Sequence, residues 1–248
     1  PMVFAGFYPV KGMDFNALSD AFKKLRLNDS AFVYQAESSF TLGHGFRCGF
    51  LGLLHMDIVR ERLKREYGLD LIVTYPSTIY RVVKRGQEVI EIDNPNNLPP
   101  LQEIEAIEEP FLKVAIICPA RDLGSVMKLA QDKRGKFITM QHFGMAVEMI
   151  YEMPLSEMVT DFYDRLKSVS SGFASLDWEL LDFREVDAVR VDILVSGEKV
   201  DALSSIVIKS KAESFGRRMV EKLKEVLPRQ NFAIAVQAAG TVSRPVLS

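Results

Sequence analysis

The sequence lacks an uninterrupted apolar run of the ~20 residues that a membrane-spanning helix needs. Its first residues hold no charged stretch leading into an apolar signal core, so export is not expected. Cysteine is scarce: Cys48 and Cys118 stand far apart in apolar surroundings, which reads as two reduced core thiols and suits a cytosol. Histidine is nearly as scarce. His44, His55 and His142 form no i, i+4 pair and no Cys/His zinc spacing, so no metal site is expected. His55 reads instead as a hydrogen-bonded packing residue. Neither sign of charge dominates: 31 basic against 33 acidic residues leave a formal charge of -2, so any RNA contact must come from local patches. A phosphate loop of the form G-x-x-x-x-G-K-S/T is missing, as is a G-x-S-x-G nucleophile turn. No catalytic, cofactor-binding or metal-ligating residue is therefore expected in this chain.

What is present is patterned for folding. The 248 residues are 48% hydrophobic, enough for one large domain or two to three small ones. "PMVFAGFYPV" opens inside an expected strand, Val3 to Tyr8, with no initiating Met, which points to a start partway through a longer protein. Asp14 offers an N-cap for a helix with Leu18, Ala21, Phe22 and Leu25 on its apolar side. Short strands at 32–36 and 40–46 follow, then a helix from about Phe50 to Tyr67 with Leu51, Leu54, Ile58 and Leu63 inward and Gly68 as its stop. Strands at 69–74 and 78–83 complete the order β-α-β-β-α-β.

From Gln87 to Glu109 there are seven acids, three prolines and no Lys or Arg, including the turn-rich "DNPNNLPP". This reads as a connector. The same order then returns: strand 111–118, helix 122–131, a strand pair at 137–142 and 145–153, a helix capped at Ser156, and a strand at 173–184. A third unit holds strand 189–195, a turn at "SGE", an extended "SSIVIK", a helix from about Lys211 to Leu227 and strand 232–237. The expected class is α+β: two ferredoxin-like βαββαβ domains followed by a smaller α+β C-terminal domain. The boundaries are 1–84, 85–109 for the acidic connector, 110–186 and 187–248.

Two stretches carry functional expectations. "GHGFRCGFLGLLHM" crowds Gly43, Gly45, Gly49 and Gly52 around Arg47, and the glycines read as a permissive turn feeding the next helix. Between Lys209 and Arg229, seven basic residues face three acidic ones. Lys209, Lys211, Arg217, Arg218, Lys222, Lys224 and Arg229 could follow a phosphate backbone, with Gly216 allowing close approach, although Glu213, Glu221 and Glu225 interleave as on an ordinary solvated helix. "DKRGKF", with Arg134 and Lys136, is a smaller patch whose plain alternative is a helix end with Gly135 in the left-handed conformation.

"ESSFTLGHGFRCGFLGLLHMDIVRERLKREYGLDL" closely resembles the LepA translational GTPases, also called elongation factor 4. "PMVFAGFYPV", "KLRLND", "DILVSGEKVDALSSIV" and "LPRQNFAIAVQAA" extend the resemblance up to Ala239. It implies the family's domain III, its domain related to domain V of elongation factor G, and the start of its own C-terminal domain. "DKRGKF" is similar to the RRG element of elongation factor G domain V. Where the family continues with an Ile-Gly turn and a basic strand, this chain ends "GTVSRPVLS".

The resemblance implies a ribosome-binding portion with rRNA, ribosomal proteins and tRNA as partners. The implied role is fidelity of elongation through backward movement of tRNA, or ribosome assembly. GTP and Mg are expected in an N-terminal GTPase domain outside this chain, which would be a partner docked at Gly43, Gly45, Arg47 and Gly49, with Arg47 as the polar contact. A cytoplasmic monomer is expected, or one peripheral on the cytoplasmic face of the cell membrane. Two other readings stay open at this point: a protein-interaction module without RNA contact, and a small-molecule-binding regulatory domain of the same fold.

Overall fold

Alternation builds the first sheet. Val3, Ala5 and Phe7 face inward from β1 (Val3–Pro9), and α1 (Phe15–Asn28) lays Leu18, Ala21, Phe22 and Leu25 against them, the face its spacing predicts. β2 (Val33–Ser39), β3 (Gly43–Phe50), α2 (Leu53–Tyr67) and β4 (Leu71–Val73) complete an antiparallel sheet in the order β2-β3-β1-β4. This is the ferredoxin-like arrangement. The computed structural model describes residues 1–74, 76–159, 161–226, 236–240 and 245–247, and it divides into two units, Pro1–Ile107 with Val186–Ser248 and Glu108–Glu185.

Three expectations for this region are corrected. The stretch from Gly43 is a strand rather than a turn: Phe46, Cys48 and Phe50 alternate into a core of Phe7, Phe22 and Phe32, a period that the intervening glycines disguise. A Cβ at Gly45 would lie 2.4 Å from the Tyr8 ring and 2.6 Å from the Phe7 carbonyl oxygen, so glycine here clears room for an aromatic ring. In α2 the buried face is Met56, Val59 and Leu63, while Leu51, Leu54 and Ile58 are exposed. Both stripes have helical spacing, and packing chose the second. Gly68 does end α2 in the left-handed conformation, its N–H reaching the Lys64 carbonyl at 3.1 Å.

The expected strand at 78–83 also leaves the first sheet. β5 (Ser77–Thr78) pairs with β1, but β6 (Tyr80–Lys84) forms a hairpin with β7 (Val89–Ile92), which falls inside the presumed connector. Tyr80, Val82, Ile92, Leu98 and Ile107 bury one core together with Ala188 and Ile206. The acidic segment is thus a structural element whose apolar residues Ile92, Leu98 and Ile107 are spaced too irregularly for periodicity to reveal.

The second unit takes up β8 (Ile104–Pro119) from Glu108 onward, then α3 (Leu123–Asp132), β9 (Lys136–Phe143), β10 (Ala146–Pro154), α4 (Leu155–Met158), α5 (Phe162–Val169) and β11 (Ser175–Glu185). Its strands run β9-β10-β8-β11, the same order as the first sheet. Leu112, Val114, Ile116 and Cys118 meet Val147, Met149, Tyr151 and Met153 under Val126, Leu129, Phe162 and Leu166. The single helix expected from Ser156 is two, and Ser156 caps neither: its hydroxyl donates to Glu109 at 2.7 Å.

In the remainder of the first unit, β12 (Ala188–Val195) and β13 (Glu198–Ile208) form a hairpin across Ser196 and Gly197, both at positive φ as a type I′ turn demands. α6 (Lys209–Val226), β14 (Val236–Gly240) and β15 (Pro245–Leu247) follow, in a sheet ordered β13-β12-β14-β15. Both cysteines are buried free thiols, and burial pushes the Cys48 thiol well up. Among the described residues no helix is long and apolar enough to cross a membrane.

Candidate functional site

α6 sits on its sheet through Ala212, Phe215 and Val220, with Met219 and Leu223 alongside. A Cβ on Gly216 would come 2.8 Å from the Ala238 Cβ, so this glycine serves the contact with β14 rather than an external backbone. The outward residues sort into two flanks. On one, Lys209 lies 3.7 Å from Asp187 and Arg217 lies 3.0 Å from Glu213. On the other, Lys211, Arg218 and Lys222 recur at i, i+7 and i+11, which places them within about 40° of one another around the helix. Arg218 and Lys222 are exposed and Lys211 is half-buried. The side chain of Lys224 and all of Arg229 lie outside the described residues.

The smaller basic patch is largely committed internally. Arg134 ends α3 at φ 57, taking the left-handed position expected of Gly135. Gly135 is needed for another reason: a Cβ there would lie 2.7 Å from the Ala130 carbonyl oxygen. The Arg134 guanidinium pairs with Glu109 and stands 3.3 Å from Glu157. Glu109 is fully buried, and burial raises its carboxyl pKa against the pull of Arg134 and Ser156. Lys133, next to it, pairs with Asp161. Of this patch Lys136, at the exposed start of β9, faces solvent.

Arg47 is not a surface contact. It is 6% exposed on the helix-free face of the first sheet, beside Gly6 and Gln35 on the neighbouring strands. Its Nη2 donates to Ser77 Oγ at 2.5 Å and to the Asp93 carbonyl, and burial pulls its pKa down while Glu37 and Asp93 oppose that. Glu37 accepts from the Tyr8 hydroxyl at 2.6 Å and from Asn94 Nδ2 at 3.1 Å. Burial, and then Glu37, pushes the Tyr8 hydroxyl well above its ordinary pKa. Asn96 Nδ2 donates to the Asp201 carbonyl at 2.9 Å. The "DNPNN" segment, residues 93–97, is therefore a strap fastened at Arg47, Glu37 and Asp201.

Asp201 is the second fastening. Its carboxylate accepts from Ser39 Oγ at 2.6 Å, Thr41 Oγ1 at 2.9 Å, the Phe40 N–H at 3.1 Å and the Ala202 N–H at 2.8 Å. Burial works to raise its pKa, but these four donors outweigh it and hold the carboxyl below the usual range. Beneath the strap lies a polar cleft of ≈ 240 Å³. Sequence reading missed Glu37, Asn94, Asn96 and Asp201 because the partners that join them lie 29 to 162 residues apart, beyond any local motif. His55 was legible: it takes the Leu51 N–H at 3.0 Å and meets Asp29 at 2.6 Å.

Comparison with known proteins adds to this geometry. Residues 106–194 match the family described as elongation factor G C-terminus, and residues 195–246 match that described as GTP-binding protein LepA C-terminus. Elongation factor 4 of Desulfitobacterium hafniense is 52% identical over 239 residues, covering 96% of this chain and 40% of the relative. Elongation factor 4 of Synechocystis is 52% identical over 240 residues, and that of Acetivibrio thermocellus 52% over 239, each with the same coverage. The chain thus spans 40% of the length of these relatives.

Proposed function

Because this chain belongs to the elongation factor 4 (LepA) family, we propose that it is the ribosome-contacting portion of a translation factor, with α6 as its RNA-facing element. The observation that carries this is the line of Lys211, Arg218 and Lys222 at helical spacing along α6, with Arg218 and Lys222 exposed. Phosphate contacts position a protein without reading sequence, and three cations at helical spacing suit that task. Lys209 and Arg217 add weaker contacts through partly neutralised charge, and Lys136 offers a separate cation in the second unit. In this reading GTP and Mg belong to the parent protein outside this chain. The finer role, backward movement of tRNA or ribosome assembly, rests on the family resemblance.

The test is ribosome retention of this chain against salt concentration. Arg218→Ala and Lys222→Ala are each expected to reduce the log–log salt slope by about one, with unchanged melting temperature. Retention that does not vary with salt, or slopes that stay at the unaltered value, would remove the proposal.

A protein contact is favoured at a different place. Leu54 and Ile58 on α2, with Leu51 just before it, leave an exposed apolar stripe, with Leu54 74% exposed. Such a stripe suits a protein partner rather than phosphate, and we assign it to the remainder of the parent protein. Leu54→Glu in the full-length parent should weaken ribosome-stimulated GTPase activity while leaving this chain's own RNA retention intact. Unchanged GTPase activity would reject the assignment.

A further inference from the structure

The cleft beneath the 93–97 strap has no part in the α6 contact, yet its walls are chemically specific. Tyr8, Glu37 and Arg47 line it from the sheet, Asn94 and Asn96 from the strap, and Asp201 from β13. Glu37 and Asp201 against Arg47 leave one net negative charge, which repels phosphate and carboxylate groups. A lining of amides, hydroxyls and carboxylates offers little to an apolar body.

Unmet hydrogen bonds narrow the choice. Arg47 Nε and Asn96 Oδ1 are buried and, among the described residues, have no partner; such atoms in a folded protein call for an explanation. One is a donor and the other an acceptor. Glu37 adds capacity: each of its oxygens accepts one bond, from Tyr8 and Asn94, and a carboxylate oxygen can accept a second. The occupant that matches presents two adjacent N–H donors to a carboxylate and, beside them, a carbonyl to a guanidinium.

The Watson–Crick edge of guanine has that order: N2–H and N1–H, then O6. Adenine presents one donor beside an acceptor, and uracil sets one donor between two carbonyls, which would face Glu37. Unpaired RNA bases are commonly read by this edge. We propose that the cleft binds an unpaired guanine base, with Glu37 accepting from N1–H and N2–H and Arg47 directed toward O6. The ribose and any phosphate remain outside the anionic walls. The chemistry stands on the cleft alone; RNA as the source of the base rests on the ribosome-contact reading above.

The experiment is a titration of the full chain with guanosine, followed through the side-chain amide signals of Asn94 and Asn96 by NMR. Saturable shifts are expected with guanosine, roughly tenfold weaker binding with inosine, which lacks the N2 amine, and none with 1-methylguanosine or adenosine. Because Glu37 also holds the strap, this ligand series on the unaltered protein is the decisive arm, and Glu37→Gln with an unchanged melting temperature should weaken guanosine at least tenfold. Equal responses to guanosine and 1-methylguanosine, or none with guanosine up to its solubility limit, would overturn the proposal. A pentanucleotide U-U-G-U-U that shifts the same amides, beside a silent U-U-A-U-U, supports RNA as the source; guanosine shifts with both pentamers silent overturn that source. Loss of ribosome retention with guanosine shifts intact would count against the α6 reading alone.

Discussion

Asp201 accepts a 2.6 Å hydrogen bond from the Ser39 hydroxyl across 162 residues of chain, and this bond and those from Thr41 Oγ1 and the Phe40 N–H tie the tip of the β2–β3 hairpin to β13. Asp201→Asn puts an amide donor where the carboxylate accepts. A loss of about 1–3 kcal/mol is expected, read as a lower urea midpoint with an unchanged slope.

The same bond has a pH signature. The folded Asp201 carboxyl titrates below the unfolded value of about 3.9, so its contribution is complete at neutral pH and fades as pH falls below about 4. The stability gap between the unaltered protein and Asp201→Asn should therefore narrow between pH 7 and pH 3. A gap that stays constant over that range would show that the carboxylate is not the source.

Arg134 and Lys136, neighbours in one basic motif, should behave differently. Arg134→Ala leaves the fully buried Glu109 without its cation, and about 3–5 kcal/mol of stability should be lost. Lys136→Ala should leave the melting temperature unchanged. Pairing Arg134→Ala with Glu109→Gln should recover part of the loss, because the added cost lies in an unpaired buried charge. Additive losses in the double variant would contradict this.

Gly216→Val sets two effects against each other. Replacing glycine inside a helix gains up to about 1 kcal/mol through propensity, but the new Cβ meets the Ala238 Cβ at 2.8 Å and overpacking costs about 1–3 kcal/mol. With valine, which gains less propensity and adds two methyls, the clash should win and lower the melting temperature. Gly45→Ala should be worse, since its Cβ would press on the Phe7 carbonyl oxygen at 2.6 Å, and backbone cannot swing aside as a side chain can. Soluble Gly45→Ala protein with an unchanged melting temperature would refute this.

On α6, pairing should decide the size of each effect. Arg217 is held by Glu213 at 3.0 Å, so Arg217→Ala should lower the salt slope of ribosome retention less than Arg218→Ala does. Equal effects would mean that the helix contacts RNA through its other flank.

Much of the fold was legible because its signals are local. The apolar face of α1, the left-handed Gly68 and the Ser196–Gly197 hairpin each follow from residues within one or two turns of chain. Where two local signals compete, sequence cannot rank them: Leu51, Leu54 and Ile58 match a helix face as well as Met56, Val59 and Leu63 do, and only the sheet beneath α2 decides. Arg47 looked like a surface cation because glycines flank it, yet Gly45 makes way for the Tyr8 ring and Gly49 for Val33 and Phe4 on the face that buries it. The strap at 93–97 shows only turn residues, and its purpose becomes visible once Glu37 and Asp201 are beside it.

The core that joins Tyr80, Val82, Ile92, Leu98 and Ile107 to Ala188 and Ile206 has a consequence for biosynthesis. A chain emerging N-terminus first has made the first five of these residues, and the whole of Glu108–Glu185, before the last two exist. The second unit can fold as it appears, whereas the β6–β7 hairpin must wait with its apolar side uncovered until β12 and β13 arrive. The interval during which this protein is open to misassembly is therefore set by the length of the segment inserted between the two halves of that core.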